Sequence, residues 1–401
     1  MSIGSVKPKS LGDLIKYYRK MNNDLADQSI EIEDKPEVIF FILQTELETL
    51  EHPALIPEIA AKFLESNGME GVKELCRVID SVEDTSIQLA LYNLIIDYSR
   101  ARGLIPYIAK GLYRKYMIER NDFSKLKETY QLGKCVLDYV QLLGDKERIV
   151  FYYSIGVHAD SLMNYDDSVP YMKYVVENDN SENGAYRANA YLSLCNSSYN
   201  TGDYKASQEY LNEYSKYSFS YVADNVHFMS ACIEGKLGNV DSSISKLRSY
   251  LQNTSEYNII YAVAELLDQY LQKKDLHSAK TLLVYEEQMV KSLQDIRTTP
   301  FKRALLARFY KNMGDILHHE DIEKSLDYYM KSVLEYAGIG QYDNSLHSLS
   351  YIFQAIAKGV IVDKETLNKL ESAIKSVGQL LWSRSAYLVE MASRCSWEVA
   401  R

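Results

Sequence analysis

Apolar and polar positions along this 401-residue chain fall into one cadence that returns several times. A helical stretch ends in a turn rich in Asn, Gly or Asp, an aromatic or aliphatic residue follows, and a small residue opens a second helical stretch. The copies run from Leu162 to Tyr171, Asn200 to Tyr210, Gly238 to Leu247, Lys274 to Leu283 and Glu320 to Ser332. Their small residues, Ser168, Ala206, Ser243, Ala279 and Ser325, are 38, 37, 36 and 46 positions apart. A small residue early in a second helix lets it lie close to the first. A large one four positions later (Met172, Tyr210, Leu247, Leu283, Tyr329) then fills the space beside it. Each pair leaves an apolar face open, so pairs must stack, and the pattern predicts a solenoid with a continuous core.

These segments resemble degenerate tetratricopeptide repeats: Ile155-Gly156 before Tyr171, and Met313-Gly314 before Tyr328-Tyr329, stand where that repeat carries its Leu-Gly pair. The resemblance implies an all-α, right-handed solenoid. Upstream, paired helices are expected over 54–65 with 71–82 and over 86–101 with 104–117, separated by helix stops at Ser66-Asn67-Gly68 and Gly103. The chain is read as two parts: 1–52, a helix-turn-helix-like unit, and 53–401, the repeat array.

Composition agrees with a helical, folded chain. The 18 glycines and 7 prolines are about half the usual share, which argues against a turn-rich β protein. Forty-five basic against 55 acidic residues give a net charge of −10, so attraction to nucleic acid must come from a local patch. The five cysteines are scattered without metal-site or disulfide spacing, and buried thiols in a reducing cytoplasm are the expectation. No apolar run is long enough for a membrane span or an export signal.

Ser10 can cap a helix over 11–21; a short helix over 24–30 and a third from Val38 to about Leu50 follow, an order that suggests helix-turn-helix. Residues 1–22 carry Lys7, Lys9, Lys16, Arg19 and Lys20 against Asp13 alone, whereas 23–51 carry Lys35 against nine acids. DNA contacts should therefore come mainly from the first helix and the arm before it, with Lys35, Gln44 and Thr45 as lesser candidates. The alternative for this end is a helical bundle that caps the first repeat.

A coil of helix pairs presents the first helix of each pair on its inner side, a wall suited to an extended peptide. The repeat register places Tyr153, Asp160, Asn189, Asn196, Tyr199, Asn225, Phe228, Asp268, Arg308 and Lys311 there. One asparagine amide can serve both the N–H and the C=O of an extended backbone. Asp160 or Asp268 could hold a peptide cation, and Arg308 or Lys311 a carboxylate. The C-terminal helices, 364–376 and 378–400, carry Leu380, Leu381, Trp382, Tyr387 and Leu388, more apolar surface than a cap needs, and are expected to contribute to a homodimer.

The segment Tyr191 to Leu211, with the hairpin from Gly156 to Ser168 before it, resembles the peptide-sensing repeat proteins of Bacillus and its phages. In order and length the chain looks most like the arbitrium receptors of SPbeta-like phages (AimR type). Architecture is alike over most of the chain, residues over about 150–215. The resemblance implies a cytoplasmic homodimeric transcription regulator of phage lysogeny that binds operator DNA and is switched by a short secreted peptide, with Asn196 on the peptide backbone. The related Rap-type regulators bind other regulatory proteins instead, which leaves a peptide-regulated adaptor without DNA binding as the alternative. Catalysis, a cofactor and a metal are not expected: the seven histidines form no metalloprotease pair, and no phosphate loop or nucleophile elbow occurs.

Overall fold

The structure is a computed structural model that describes Pro8, residues 12–14, residues 35–358 and, further on, 364, 368, 370–372, 374, 375 and 378. Lys7, Lys9, Lys16, Arg19 and Lys20, and Leu380, Leu381, Trp382, Tyr387 and Leu388, lie outside the described residues. The described residues form helices and connecting turns, with no strand among them, and the architecture is a tetratricopeptide-like helical solenoid. None of these helices is long and apolar enough to cross a membrane. The chain forms two compact units, 1–155 and 156–401.

In the first unit, helix α1 (Pro36–Thr49), α2 (Ile56–Ile79), α3 (Thr85–Arg102), α4 (Ile105–Glu119) and α5 (Leu126–Leu137) follow one another in short hairpins. Asp84 caps α3 by accepting from the amides of Ser86 and Ile87. Gly103 ends it at φ 66°, where a Cβ would be strained. The stop expected at Gly68 is a kink: φ 60° there breaks α2 into two helical runs. Ile39, Ile42 and Leu43 of α1 are buried with Phe63 and Leu75 of α2 and Leu91 and Ile95 of α3, so α1 shares its core with the hairpin that follows residue 52.

Helix α6 (Asp145–Ser161) leads into the second unit, which continues with α7 (Tyr165–Asn178), α8 (Ala185–Asn200), α9 (Tyr204–Tyr214), α10 (Val222–Lys236), α11 (Val240–Asn253), α12 (Ile259–Gln272), α13 (Leu276–Thr281), α14 (Glu286–Ser292), α15 (Pro300–Leu317), α16 (Ile322–Gly338) and α17 (Tyr342–Ala357). One turn recurs. Met163, Gly202, Gly238, Lys274 and Gly340 take φ between 58° and 100°. The next amide in each (Asn164, Asp203, Asn239, Asp275, Gln341) donates at 2.9 Å to the carbonyl five residues earlier. This closes the first helix of the pair. Five residues past each left-handed position stands the small residue that touches the preceding helix: Ser168, Ser207, Ser243, Ala279 and Ser345, all buried.

That register corrects one expectation, because the left-handed Gly202 puts Ser207 in the contact, with Leu211 as its large neighbour, and leaves Ala206 and Tyr210 half-buried. The serines do more than fill space. Ser168 Oγ donates to the Gly156 carbonyl at 3.0 Å, Ser207 to Cys195 at 2.9 Å, Ser325 to Gly314 at 2.8 Å and Ser345 to Val333 at 2.9 Å. The close approach explains the glycines of the two Leu-Gly-like pairs: a Cβ on Gly156 would lie 2.7 Å from Met172, and one on Gly314 would lie 2.7 Å from Tyr329. The spacing of 46 arises where a second helix is interrupted: α13 stops at Thr281, a 3-10 turn covers Leu282–Tyr285, and α14 resumes at Glu286.

Candidate functional site

The first helices of successive pairs, α6, α8, α10, α12 and α15, wall a cavity of about 290 Å³ within the second unit. Asp160 and Ser161 enter from the end of α6 and Tyr165 from the start of α7. Asn196, Tyr199 and Asn200 come from α8, Asn225, Phe228 and Cys232 from α10, Tyr261 and Glu265 from α12, and Phe301 and Leu305 from α15, with Tyr250 and Asn258 closing the wall. The lining holds four asparagines, six aromatic rings and two carboxylates, and no lysine, arginine or histidine.

The two carboxylates differ in their partners. Asp160 accepts 3.0 Å from Ser197 Oγ. Burial pushes its carboxyl up to about 6, against the lowering effect of that hydroxyl. Glu265 is nearly fully buried and belongs to a network. Tyr199 Oη donates to it at 2.5 Å, and Arg308 stands 3.8 Å from it and 3.5 Å from Asp268, which Lys236 approaches at 3.3 Å. Burial and the neighbouring Asp268 hold the Glu265 carboxyl above its ordinary range, while Arg308 and Lys236 oppose them. Burial works against the charge on Lys236, yet Asp268 and Glu265 outweigh it and raise its pKa. Two acids face two bases in this network, so its charge closes on itself, whereas Asp160 has a hydroxyl and no cation in contact. A cationic group entering the cavity would meet Asp160 and the faces of aromatic rings.

The asparagines are equally unequal. Asn225 Nδ2 donates to Tyr214 Oη at 2.9 Å and Asn200 Nδ2 to the Asn196 carbonyl at 2.9 Å. The Asn196 side-chain amide lines the cavity and has no hydrogen-bond partner among the described residues, so it is available to an incoming main chain.

Of the residues singled out from sequence, Asp160, Asn196, Tyr199, Asn225 and Phe228 come together on this wall. Asp268 and Arg308 lie beside it in the ion network. Lys311 is turned to Asp315 at 2.6 Å, and Asn189 is half-buried on α8 away from the cavity lining. Tyr153 belongs to the first unit. Lys35, just before α1, and Gln44 within it are exposed, and Thr45 Oγ1 donates to the Phe41 carbonyl at 2.9 Å. Sequence reasoning missed Glu265, Asn258, Tyr261 and Phe301. Glu265 carried a signal, a lone acid inside Ile259-Ile-Tyr-Ala-Val-Ala-Glu265-Leu-Leu, a stretch otherwise apolar.

No protein-family model matches the chain, and no curated protein matches it in sequence. Among solved structures it is similar to a Rap protein complexed with competence and sporulation factor, at 8% identity over 86% of this chain and 99% of that one, TM-score 0.43. It is similar to a STAND-class signal-transduction ATPase with a tetratricopeptide-repeat sensor from Pyrococcus horikoshii, at 11% identity over 97% of this chain and 67% of that one, TM-score 0.47. A third likeness is to the tetratricopeptide-repeat domain of P58(IPK), at 12% identity over 86% of this chain and 98% of that one, TM-score 0.22.

Proposed function

We propose that the second unit is a receptor for a short peptide and that the protein is a non-enzymatic, peptide-regulated regulator. The observation that carries this reading is the pairing, on one wall, of the Asn196 amide with Asp160: one group matched to a main chain, the other to a cation. The cavity lies at the low end of ligand-pocket sizes, so it encloses a peptide's anchoring residues and leaves the rest to the open inner face. With both bases of the network already matched by acids, the anchor is a basic side chain or the amino end, not the carboxylate.

The finer reading is an arbitrium-type receptor: a cytoplasmic dimer whose basic N-terminal arm holds operator DNA and whose affinity for it changes when peptide fills the cavity. Such coupling requires the peptide to bind one state of the dimer better than the other. A gel-shift with DNA upstream of its own gene, with and without a synthetic peptide from an adjoining small reading frame, tests it. Binding that depends on residues 1–50 and responds to peptide, with the response lost in Asn196→Ala and Asp160→Asn, is the expected result. Equal peptide binding by these variants and the native chain overturns the receptor reading.

A second reading, a peptide-regulated adaptor that sequesters another protein, is favoured by α1 itself. This helix carries Glu37, Glu46 and Glu48 and no basic residue, a poor match to a phosphate backbone. Absence of DNA binding at low salt, with peptide binding intact, supports that alternative.

A further inference from the structure

Of the five recurring left-handed turn positions in the second unit, three are glycine and the other two are Lys274 and Met163. Gly202, Gly238 and Gly340 adopt that backbone without steric penalty, whereas a Cβ opposes it. At Met163 that strain is offset by a gain from its side chain. The gain is visible. Met163 packs against Ala307, Tyr336 and Ile339, and its Sδ accepts at 3.1 Å from Nε2 of Gln341, 178 residues along the chain. Asn344 Nδ2 donates to Gln341 Oε1 at 2.8 Å, which aims the other end of that amide at the sulfur. Gln341 follows Gly340, so two copies of the same turn, one at the start of the second unit and one near the end of its described part, are fastened to each other.

The Met163 turn is also the one that delivers to the cavity the acid that has no cation in contact. The Met163 amide donates at 2.9 Å to the carbonyl of Asp160, and Tyr165 stands two residues further on. We infer that Met163, seated between α15 and α16 and bonded to Gln341, is a positioning residue: it fixes the end of α6 so that Asp160 meets the cavity at a set depth. Residues 336–341, which do not line the cavity, thereby control the group that selects its ligand. This deepens the receptor reading given above, but its principal readouts need no ligand, so the two can fail separately.

The test uses the full chain with Met163→Ala, Met163→Gly, Met163→Leu and Gln341→Leu. Carbon-13 carboxylate NMR, assigned with Asp160→Asn, follows the Asp160 titration, and hydrogen exchange follows the amides of 336–341. In the native chain the Asp160 midpoint is expected at about 6. Removing the seat admits water beside Asp160, so in the Ala and Gly variants the midpoint falls by about one unit and exchange at 336–341 quickens by about tenfold. Met163→Leu keeps the apolar seat and restores both readouts. Gln341→Leu, which leaves the Met163 turn unaltered, gives a smaller change of the same sign. Should the Ala variant lose its helical content, Gly and Gln341→Leu still decide the question. Faster exchange with an unmoved midpoint, or no change in either, overturns the inference.

Discussion

The hairpins α1 to α3 and the inner helices α8, α10, α12 and α15 are built from the same helix-pair logic and buried in opposite ways. In the first set the enclosed side chains are apolar almost without exception: Ile59, Phe63, Leu64, Leu75, Ile79, Leu91 and Ile95 have no exposure, and Phe40 stacks on Phe63 at 4.8 Å. Its buried acid, Glu46, takes both the amide and Nδ1 of His52 at 2.9 Å. In the second set the helices enclose Glu265 and Tyr199, place Arg308, Asp268 and Lys236 beside them, and leave a cavity. Desolvating such charges works against folding, and pairing them offsets that cost without matching what apolar packing contributes. The inner helices therefore give up stability that the first hairpins keep. A wall that departs in this way from the optimum for packing is where binding is to be sought.

The largest effect expected from breaking this comparison is in the apolar set. Phe63→Ala should cost about 3–5 kcal/mol, seen as an earlier urea midpoint for the first unit, because neither its ring stack nor its cavity can be refilled. Next comes Arg308→Met, which leaves Glu265 and Asp268 with Lys236 alone. A loss of about 3 kcal/mol at pH 7 is expected, part of it recovered as pH falls, because burial and Asp268 already favour the protonated form of Glu265. A loss independent of pH would mean that the network contributes through shape alone.

Asp160 comes third. Its folded-state pKa, about 6, lies above its ordinary value, so the folded chain holds more protons between about pH 4 and 6. Stability contributed by the protonated form is then present below pH 4 and lost as pH rises through 6, by about 2 kcal/mol once partial exposure is allowed for. Asp160→Asn should flatten that slope in denaturation curves taken from pH 4 to 7. Affinity for a cationic peptide should move the other way, rising through the same interval.

The smallest effect sharpens the comparison within the repeats themselves. Ser207→Ala removes a buried hydroxyl bonded to the Cys195 carbonyl and should cost about 1 kcal/mol. Ser243 occupies the same register with its hydroxyl buried and unbonded, so Ser243→Ala should be neutral or slightly stabilising. Equal losses at both sites would show that the serines act by size and not by bonding.

How far sequence reached follows from where the signals lie. Local signals sufficed for the hairpins: Gly68, Gly103 and the caps before α9, α13 and α16 act within four residues of themselves. The contact residue in the second hairpin was misplaced by one because Ala206 and Ser207 are both small, and only the turn geometry at Gly202 chooses between them. The copy at Ser345 escaped because it follows Ser325 by 20 residues, half the period. On the wall, Asp160 and Asn196 were legible from repeat register. The company kept by Arg308 was not, since Glu265 and Asp268 lie about forty positions away on another helix. Asn258 sits in a connection between helices, where helical register carries no information.

Helix α16 receives Ser345 from α17 as a first helix and sends Ser325 to α15 as a second one. Elsewhere an inserted residue disturbs a single joint of the ladder, but here it would dislocate two at once. The stretch 322–338 is therefore the least forgiving place in the described chain for a change of length, and a natural anvil against which the neighbouring rungs are struck into line.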